Sequence, residues 1–530
     1  MTMNRIGGSP RGSGWGAGMA PPLPTRRAAG SAIDTRVPLG LLSRPAAGGY
    51  HPSPMTAPAR PLPSKPLDRS IVEGPIVRAV WMLAWPTMLQ NLIGGLQGMV
   101  DHALVGHFVG YAGNAAIGVA IQIFIVVIVF VMSVFSGMAV LVARFAGANE
   151  PDKVNRTVYQ AFLAAVALWG LLLAPLGWIL APSLLGAVHA APAVRVQALP
   201  FLRIMFLGSI GMLLFFMVGG ALRAAGDART PLRLGVLLTV LNIVCNVAFI
   251  TGLGPLPRLG TAGAAVGTTV AGLVMSGFAV YLLLSGRLPV VWRRGMDWRP
   301  DWSLIRELFR FGLPTGVQGI AMNVAGVLLL RFIGSLAQSA EAQAAYAVGY
   351  TELFSFITWT SVGLMGAAAT VAGQNLGAHR PERAVHGVHV AAALGLGVAA
   401  AIGVLFLTIP RTLLGLFGMT DPTVVGLGTQ LLAFLSVSGL FVTVALTYTG
   451  GLQGTGDTRS PLYISIVSQV VVPVGLCALL QATRGLHPAD IWMAILFGHM
   501  TRSALSVLRF RQGKWRGIRV ELAPTAASRS

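Results

Sequence analysis

"GALRAAGDARTPL" at residues 220–232 returns in altered form as "GLQGTGDTRSPL" at 451–462. Asp227 falls on Asp457 and Pro231 on Pro461, an offset of 230 residues. Working outward, the same offset joins Gly147 and Pro151 of "ARFAGANEPDKV" (143–154) to Gly377 and Pro381 of "GQNLGAHRPERA" (373–384). Further upstream, "AWPTMLQ" (84–90) and "GLPTGVQ" (312–318) pair Pro86 with Pro314, and Gly106 pairs with Gly334, at an offset of 228. Three matched blocks in one order, with a slip of two residues, mark an internal duplication.

The blocks punctuate apolar runs. The chain is 54% hydrophobic and 10% charged, where a water-soluble chain carries about a quarter charged residues. Runs of about 20 apolar residues cross the hydrocarbon as helices. Twelve are predicted, six between residues 80 and 285 and six between 306 and 509. The fold class expected is therefore all-α and integral to a membrane, with two six-helix lobes. An even number of spans per half keeps the halves parallel, related by an axis along the membrane normal, with a site between them near the midplane. The expected organisation is a Pro/Gly/Arg-rich disordered tail (1–74), a first lobe (75–286), a linker (287–303), a second lobe (304–510) and a basic tail (511–530). Residues 1 to about 70 show no apolar period, and Met55 is an alternative start.

The formal charge of +21 is unevenly placed. Lys and Arg crowd the loops after spans 2, 4, 6, 8 and 10, here called the basic face. The opposite loops and span edges carry Arg195, Arg203, Arg258, Arg331, Arg411 and Arg484. The basic face is expected to be cytoplasmic, with both termini there, in a cell (inner) membrane. This distribution suits anionic lipid headgroups and excludes a nucleic-acid groove, which interleaves aromatic and basic residues. Cys245 and Cys477 stand singly in apolar runs, and the nine histidines show no ligand spacing, so neither a disulfide framework nor a metal site is expected.

Of 17 acidic residues, two lie well inside apolar runs: Asp101 and Glu352. An ionisable side chain at the bilayer centre costs about 2.5–3.5 kcal/mol on insertion scales, so it faces a wet cavity or a partner. Asp101 shares a polar stripe with Gln97, Asn91 and Gln90. Asn242 and Asn246, at i and i+4 in span 5, form a second stripe that serves equally as interhelical glue. Thr268 sits in the small-residue run "LGTAGAAVGTTVAG" of span 6. Glu352 lies beside Tyr346 and Tyr350, with Gln122 as its counterpart in the first half and Arg331 as a possible cationic partner. Thr230 and Ser460, each before a Pro, read as helix N-caps, with Asp227 and Asp457 stapling to Arg229 and Arg459. Pro473 is expected to kink span 11.

With these blocks assembled, residues 75–510 resemble the multidrug and toxic compound extrusion (MATE) transporters. The resemblance rests on "WPTMLQNLIGGLQGMVDHALVGHFVG", "GALRAAGDARTPLRLGVLLTVLNIVCNVAF", "LGTAGAAVGTTVAG" and "VAGQNLGAHRPERAV". It implies a V-shaped pair of lobes and a monomeric antiporter that expels small organic, cationic or amphiphilic compounds against H⁺ or Na⁺, without a cofactor. It further implies a cation or proton site at Asp101, Asn242, Asn246 and Thr268, with Asn91, Gln97, Gln122, Tyr346, Tyr350 and Glu352 toward the substrate. Asn246 stands where many relatives carry an Asp, so this site has one carboxylate rather than two. Met322 stands where the NorM-like branch carries a Glu, which favours the DinF-like branch. The alternatives are a lipid-linked saccharide flippase, which needs a strongly cationic cavity for which only Arg331 and Arg203 are expected inside, an integral-membrane enzyme, and a non-transporting receptor.

Overall fold

The computed structural model describes residues 67–520 apart from 189–190, 293–295 and 297. The expected tail segments 1–66 and 521–530 lie outside the described residues. Twelve long helices follow one another. The first half holds α1 (Ile76–Phe108), α2 (Tyr111–Gly147), α3 (Pro151–Ala187), α4 (Pro192–Ala224), α5 (Arg229–Thr251) and α6 (Thr261–Leu284). The second holds α7 (Trp302–Gly334), α8 (Ser339–Gly377), α9 (Pro381–Thr408), α10 (Pro422–Gly454), α11 (Arg459–Thr483) and α12 (Pro488–Arg511). Eleven are long and apolar enough to cross a membrane. The exception, α1, equals them in length but is diluted by Gln90, Asn91, Gln97, Asp101 and His102. A helix is the natural answer for such runs, because lipid offers no partner to a backbone group that the segment does not satisfy itself. Side chains such as Leu171, Val240 and Val327 point outward, as lipid requires.

The duplication is a two-fold relation in space. A Cβ on Gly147 would overlap the Gln374 carbonyl, and a Cβ on Gly377 would overlap the Arg144 carbonyl. Gly147 and Gly377 are repeat partners, and so are Arg144 and Gln374. The contact is thus reciprocal, and the axis runs between α2 and α8. Only glycine lets the two backbones approach so closely. The first helix of each half leans on the other half, α1 on α8 and α7 on α2. The described residues of the two halves therefore form one compact unit rather than parting at the linker.

Three segments widen to π-helical turns: Trp169–Leu173 in α3, Ala347–Leu353 in α8 and Ile466–Val471 in α11. The first and third end two residues before Pro175 and Pro473. Proline offers no N–H and crowds the preceding turn, so the ladder shifts register there. The expected irregularity at Pro473 takes this form.

Both ends of the described chain are docked, which corrects the boundaries expected for the tails. The turn Ser70–Glu73 buries Ile71, whose carbonyl accepts hydrogen bonds from Asn375 Nδ2 (3.4 Å) and Arg383. Past α12, Trp515 is buried and stacks on Phe510 with ring centroids 5.0 Å apart. Arg144 Nη2 donates to the carbonyls of Thr455 (2.9 Å) and Ile518 (2.7 Å), tying α2 to the second half and to this C-terminal segment. The ends stay because each carries a large apolar side chain that finds a pocket, a feature their polar composition hides. The linker is likewise packed. Val290 and Val291 are buried, and Asn155 Oδ1 accepts from the Val291 N–H at 2.8 Å.

Candidate functional site

Asp101 sits in the C-terminal part of α1, two turns before the helix ends at Phe108. Its Oδ1 accepts a hydrogen bond from Asn246 Nδ2 at 2.9 Å. The same Nδ2 donates to Asn242 Oδ1 at 3.1 Å, and Asn242 Nδ2 donates to Thr268 Oγ1 at 3.0 Å. One continuous chain therefore joins α1, α5 and α6. The i, i+4 spacing of the two asparagines stacks their amides on one face of α5. Both are 1% exposed. Asn246 Oδ1 has no hydrogen-bond partner among the described residues, and it fills the space where a Cβ on Gly267 would stand. The small-residue run of α6 is thus what lets the amide in. His102 Nδ1 lies 2.6 Å from Asn114 Oδ1, which braces α1 against α2 beside the acid.

Asp101 has no ion pair among the described residues. The hydrogen-bonded chain that reaches it consists of neutral amides and one hydroxyl, and His102 stands next to it. Such groups can donate to a carboxylate, and their oxygens can ligate a small hard cation. The arrangement can therefore bind a proton or a sodium ion at a single carboxylate.

A cavity of about 500 Å³ adjoins the chain, lined by Asn242 and Thr268 from its inner end and by Gln90, Asn91, Gln97 and Arg223. Phe215, Phe216 and Trp359 supply apolar walls. Gln97 accepts a hydrogen bond from Thr239 Oγ1 at 2.7 Å, and Asn91 donates to the Trp359 carbonyl at 3.3 Å. A second cavity of about 280 Å³ lies between the halves and shares Asn91, Phe216, Arg223 and Val362 with the first.

The remaining predicted residues lie elsewhere. Gln122 is exposed on α2 and borders neither cavity. Tyr346 and Tyr350 stack at 4.9 Å within the second half, in an aromatic column that runs from Trp492 to Phe354. Glu352 is half-buried on the π-helical turn of α8, without an ion pair among the described residues, and Arg331 is exposed. The expected Glu352–Arg331 pair does not form, because depth along a helix says nothing of direction around it.

The expected pairs Asp227–Arg229 and Asp457–Arg459 also do not form. Asp227 Oδ1 instead accepts from the backbone N–H groups of Arg229 (3.1 Å) and Thr230 (3.0 Å), and Oδ2 accepts from Thr230 Oγ1 (2.6 Å). Asp457 accepts from Ser460 N–H (3.2 Å) and pairs with Arg509 of α12 at 2.8 Å. Helices α5 and α11 begin at Arg229 and Arg459, so these carboxylates do the capping that Thr230 and Ser460 were expected to do.

Sequence reasoning missed Arg223. Its place in the last turn of α4 reads as one more charge of the basic face. Of the two arginines expected inside, Arg331 is exposed and Arg203 lies over the Trp178 ring at 4.7 Å, bordering neither cavity. Arg223 lines both cavities, and its Nη1 donates to Gln90 Oε1 at 3.1 Å. The signal was present in the repeat, where Arg223 falls on Gln453 and Gln90 on Gln318.

Twelve long helices among the described residues, eleven of them apolar enough to cross a membrane, fall in two halves related by the repeat, with a polar cavity and a lone carboxylate beside it, and this defines a multi-pass membrane protein built as a duplicated helical bundle. The MatE family model matches residues 86–248 and 314–479, one copy in each half, and the chain belongs to that family. It is 30% identical to the probable multidrug resistance protein NorM of Deinococcus radiodurans, over 82% of this chain and 94% of that one. It is 29% identical to the protein of the same name from Thermotoga maritima, over 82% of this chain and 92% of that one. Among solved structures, it is similar to the outward-facing conformation of a multidrug resistance MATE family transporter of the MOP superfamily. There the TM-score is 0.78 at 21% identity, covering 85% of this chain and 98% of that one.

Proposed function

We propose that this chain is a secondary active efflux transporter that expels small amphiphilic organic compounds in exchange for H⁺ or Na⁺. The observation that carries the reading is the hydrogen-bonded chain from Asp101 through Asn246 and Asn242 to Thr268, which ends at the wall of the larger cavity. Family membership and the names of the relatives support the same reading. The protein sits in the cell (inner) membrane with both termini cytoplasmic, as the charge of the basic face favours.

An ion moves the lobes only by binding the two conformations unequally. Asp101 supplies that inequality. Charged, it accepts from Asn246. Protonated or sodium-bound, it releases that amide, and Asn242 and Thr268 are free to rearrange at the cavity wall. An occupied Asp101 then favours the state that lets cargo go, and emptying it on the other side resets the cycle.

The test is flux of neutral dansylamide in proteoliposomes under separately imposed proton and sodium gradients. One of the two gradients is expected to drive flux in the wild type, and Asp101→Asn is expected to lower it at least tenfold. Full flux in Asp101→Asn would refute the role of the acid.

A further inference from the structure

Arg223 and Gln453 are repeat partners, and their contacts are too. Arg223 Nη1 donates to Gln90 Oε1 at 3.1 Å in the first half, and Gln453 Nε2 donates to Gln318 Oε1 at 3.2 Å in the second. The same donor–acceptor geometry is built twice, but a charge stands in only one copy. The Gln453 form shows that packing and hydrogen bonding at this position need no cation. In the other copy the charge therefore has some further use.

Among the described residues nothing neutralises it. Among the described residues Arg223 forms no ion pair, and its one side-chain hydrogen bond goes to a neutral amide. It is the sole charged residue among those lining the two cavities, and neither lining includes an Asp or Glu. Its position does not mark an ordinary lipid-facing anchor. Side chains on a helix tilt toward its N-terminus, so the guanidinium of this last-turn residue is carried from the basic face into the cleft. The partner Gln90 is fourteen residues into α1, about 21 Å of rise from its start. The smaller cavity also holds an unused donor. The Thr315 hydroxyl is buried and has no partner among the described residues.

We infer that the cleft takes cargo with an acidic group, a carboxylate or a sulfonate, which docks on Arg223 and the neighbouring amide and hydroxyl donors. This rests on the transporter reading above and sharpens its substrate class, away from the cationic cargo that the family resemblance implies. A guanidinium held in a low-dielectric cleft attracts an anion strongly and repels a cation. The apolar walls formed by Phe215, Phe216 and Trp359 accommodate the rest of an amphiphile.

The experiment uses the full chain in proteoliposomes with two dyes that share one fluorophore: dansyl-glycine, an anion, and dansyl-ethylenediamine, a cation. Flux of the neutral parent compound, dansylamide, runs alongside as the measure of transport itself. Wild type is expected to carry the anionic dye at least tenfold faster than the cationic one. Arg223→Gln, which copies the residue found at its repeat partner, should lower that ratio about tenfold, and Arg223→Lys should keep most of it. Gln453→Arg adds a charge at a position where an arginine donor can take over the bond to Gln318, as Arg223 does to Gln90, and should raise the ratio. It keeps the inference open to refutation even if Arg223→Gln fails to fold. Faster transport of the cationic dye, or a ratio that Arg223→Gln and Gln453→Arg leave unchanged, overturns the inference while gradient-driven dansylamide flux upholds the transporter reading. Absence of flux for all three dyes under both gradients overturns the transporter reading, and this inference with it.

Discussion

At the offsets that superpose the repeats, Asp101 falls on Leu329, Asn242 on Val472, Asn246 on Leu476 and Thr268 on Gly498. The second half keeps the helices and loses every polar member of the chain. Leu329, 7% exposed, joins the apolar core there. What both halves retain is the contact between them. Gly147 and Gly377 exchange the same backbone approach, and Asp227 and Asp457 cap the same helix start. The difference separates two kinds of constraint. Close packing about the axis acts on both copies at once, because each side of a reciprocal contact needs the other. A binding site needs only one copy, so the second is free to become oil.

Breaking the shared part should have the largest effect. Gly147→Val and Gly377→Val each place a Cβ on a facing carbonyl, and each should cost about 3 kcal/mol or more. Little monodisperse protein is expected on size-exclusion chromatography in detergent. The two losses should match, and a tolerated Gly377→Val beside an intolerant Gly147→Val would break the symmetry.

The unshared part is probed by moving the acid. In an Asp101→Asn background, Leu329→Asp puts a carboxylate at the equivalent depth without amides around it. Gradient-driven dansylamide flux should stay about 100-fold below wild type, equal to about 2.7 kcal/mol. Recovery to within threefold would mean that any acid at that depth suffices.

The two capping aspartates differ by a partner. Asp227→Ala loses a cap, worth about 1 kcal/mol. Asp457→Ala loses the cap and also leaves Arg509 unpaired, so about 2 kcal/mol is expected. Thermal unfolding in detergent should rank them in that order.

The smallest expected effect concerns Asp301 and its repeat partner Glu73. Asp301 caps α7, accepting from Ser303 N–H (3.1 Å) and Leu304 N–H (3.2 Å), and pairs with Arg156 at 2.8 Å. Burial pushes its carboxyl up. The hydrogen bonds from Ser303 and Leu304 and the charge of Arg156 outweigh that and hold it below the ordinary 3.8. A depressed carboxylate stabilises the fold above its unfolded pKa, and that contribution fades as pH falls through the folded value. Asp301→Ala should therefore cost about 1 kcal/mol at neutral pH, less as pH drops below 3.8, with melting curves at pH 7 and pH 3 as the check. Glu73 meets Arg69 in solvent at 2.6 Å, and Glu73→Ala should leave the melting temperature unchanged at both.

Much of this was legible beforehand for a physical reason. The axis glycines and the capping aspartates recur because the contact recurs, so the repeat displays them. Asp101 stands out because an acid in an apolar run is costly, and Asn242 and Asn246 share a face by spacing alone. What stayed hidden depends on direction around a helix. Glu352 has the depth of a site residue and borders neither cavity, whereas Arg223 has the position of a loop charge and lines both. Ile71 and Trp515 were invisible for another reason, since one apolar side chain in a polar segment makes no periodic pattern.

The single guanidinium nitrogen of Arg144 that grips Thr455 and Ile518 has a practical bearing on turnover. Any movement on the basic face that parts α2 from α10 has to break both bonds, so one arginine ties the first half to the second and to the end of the described chain at once.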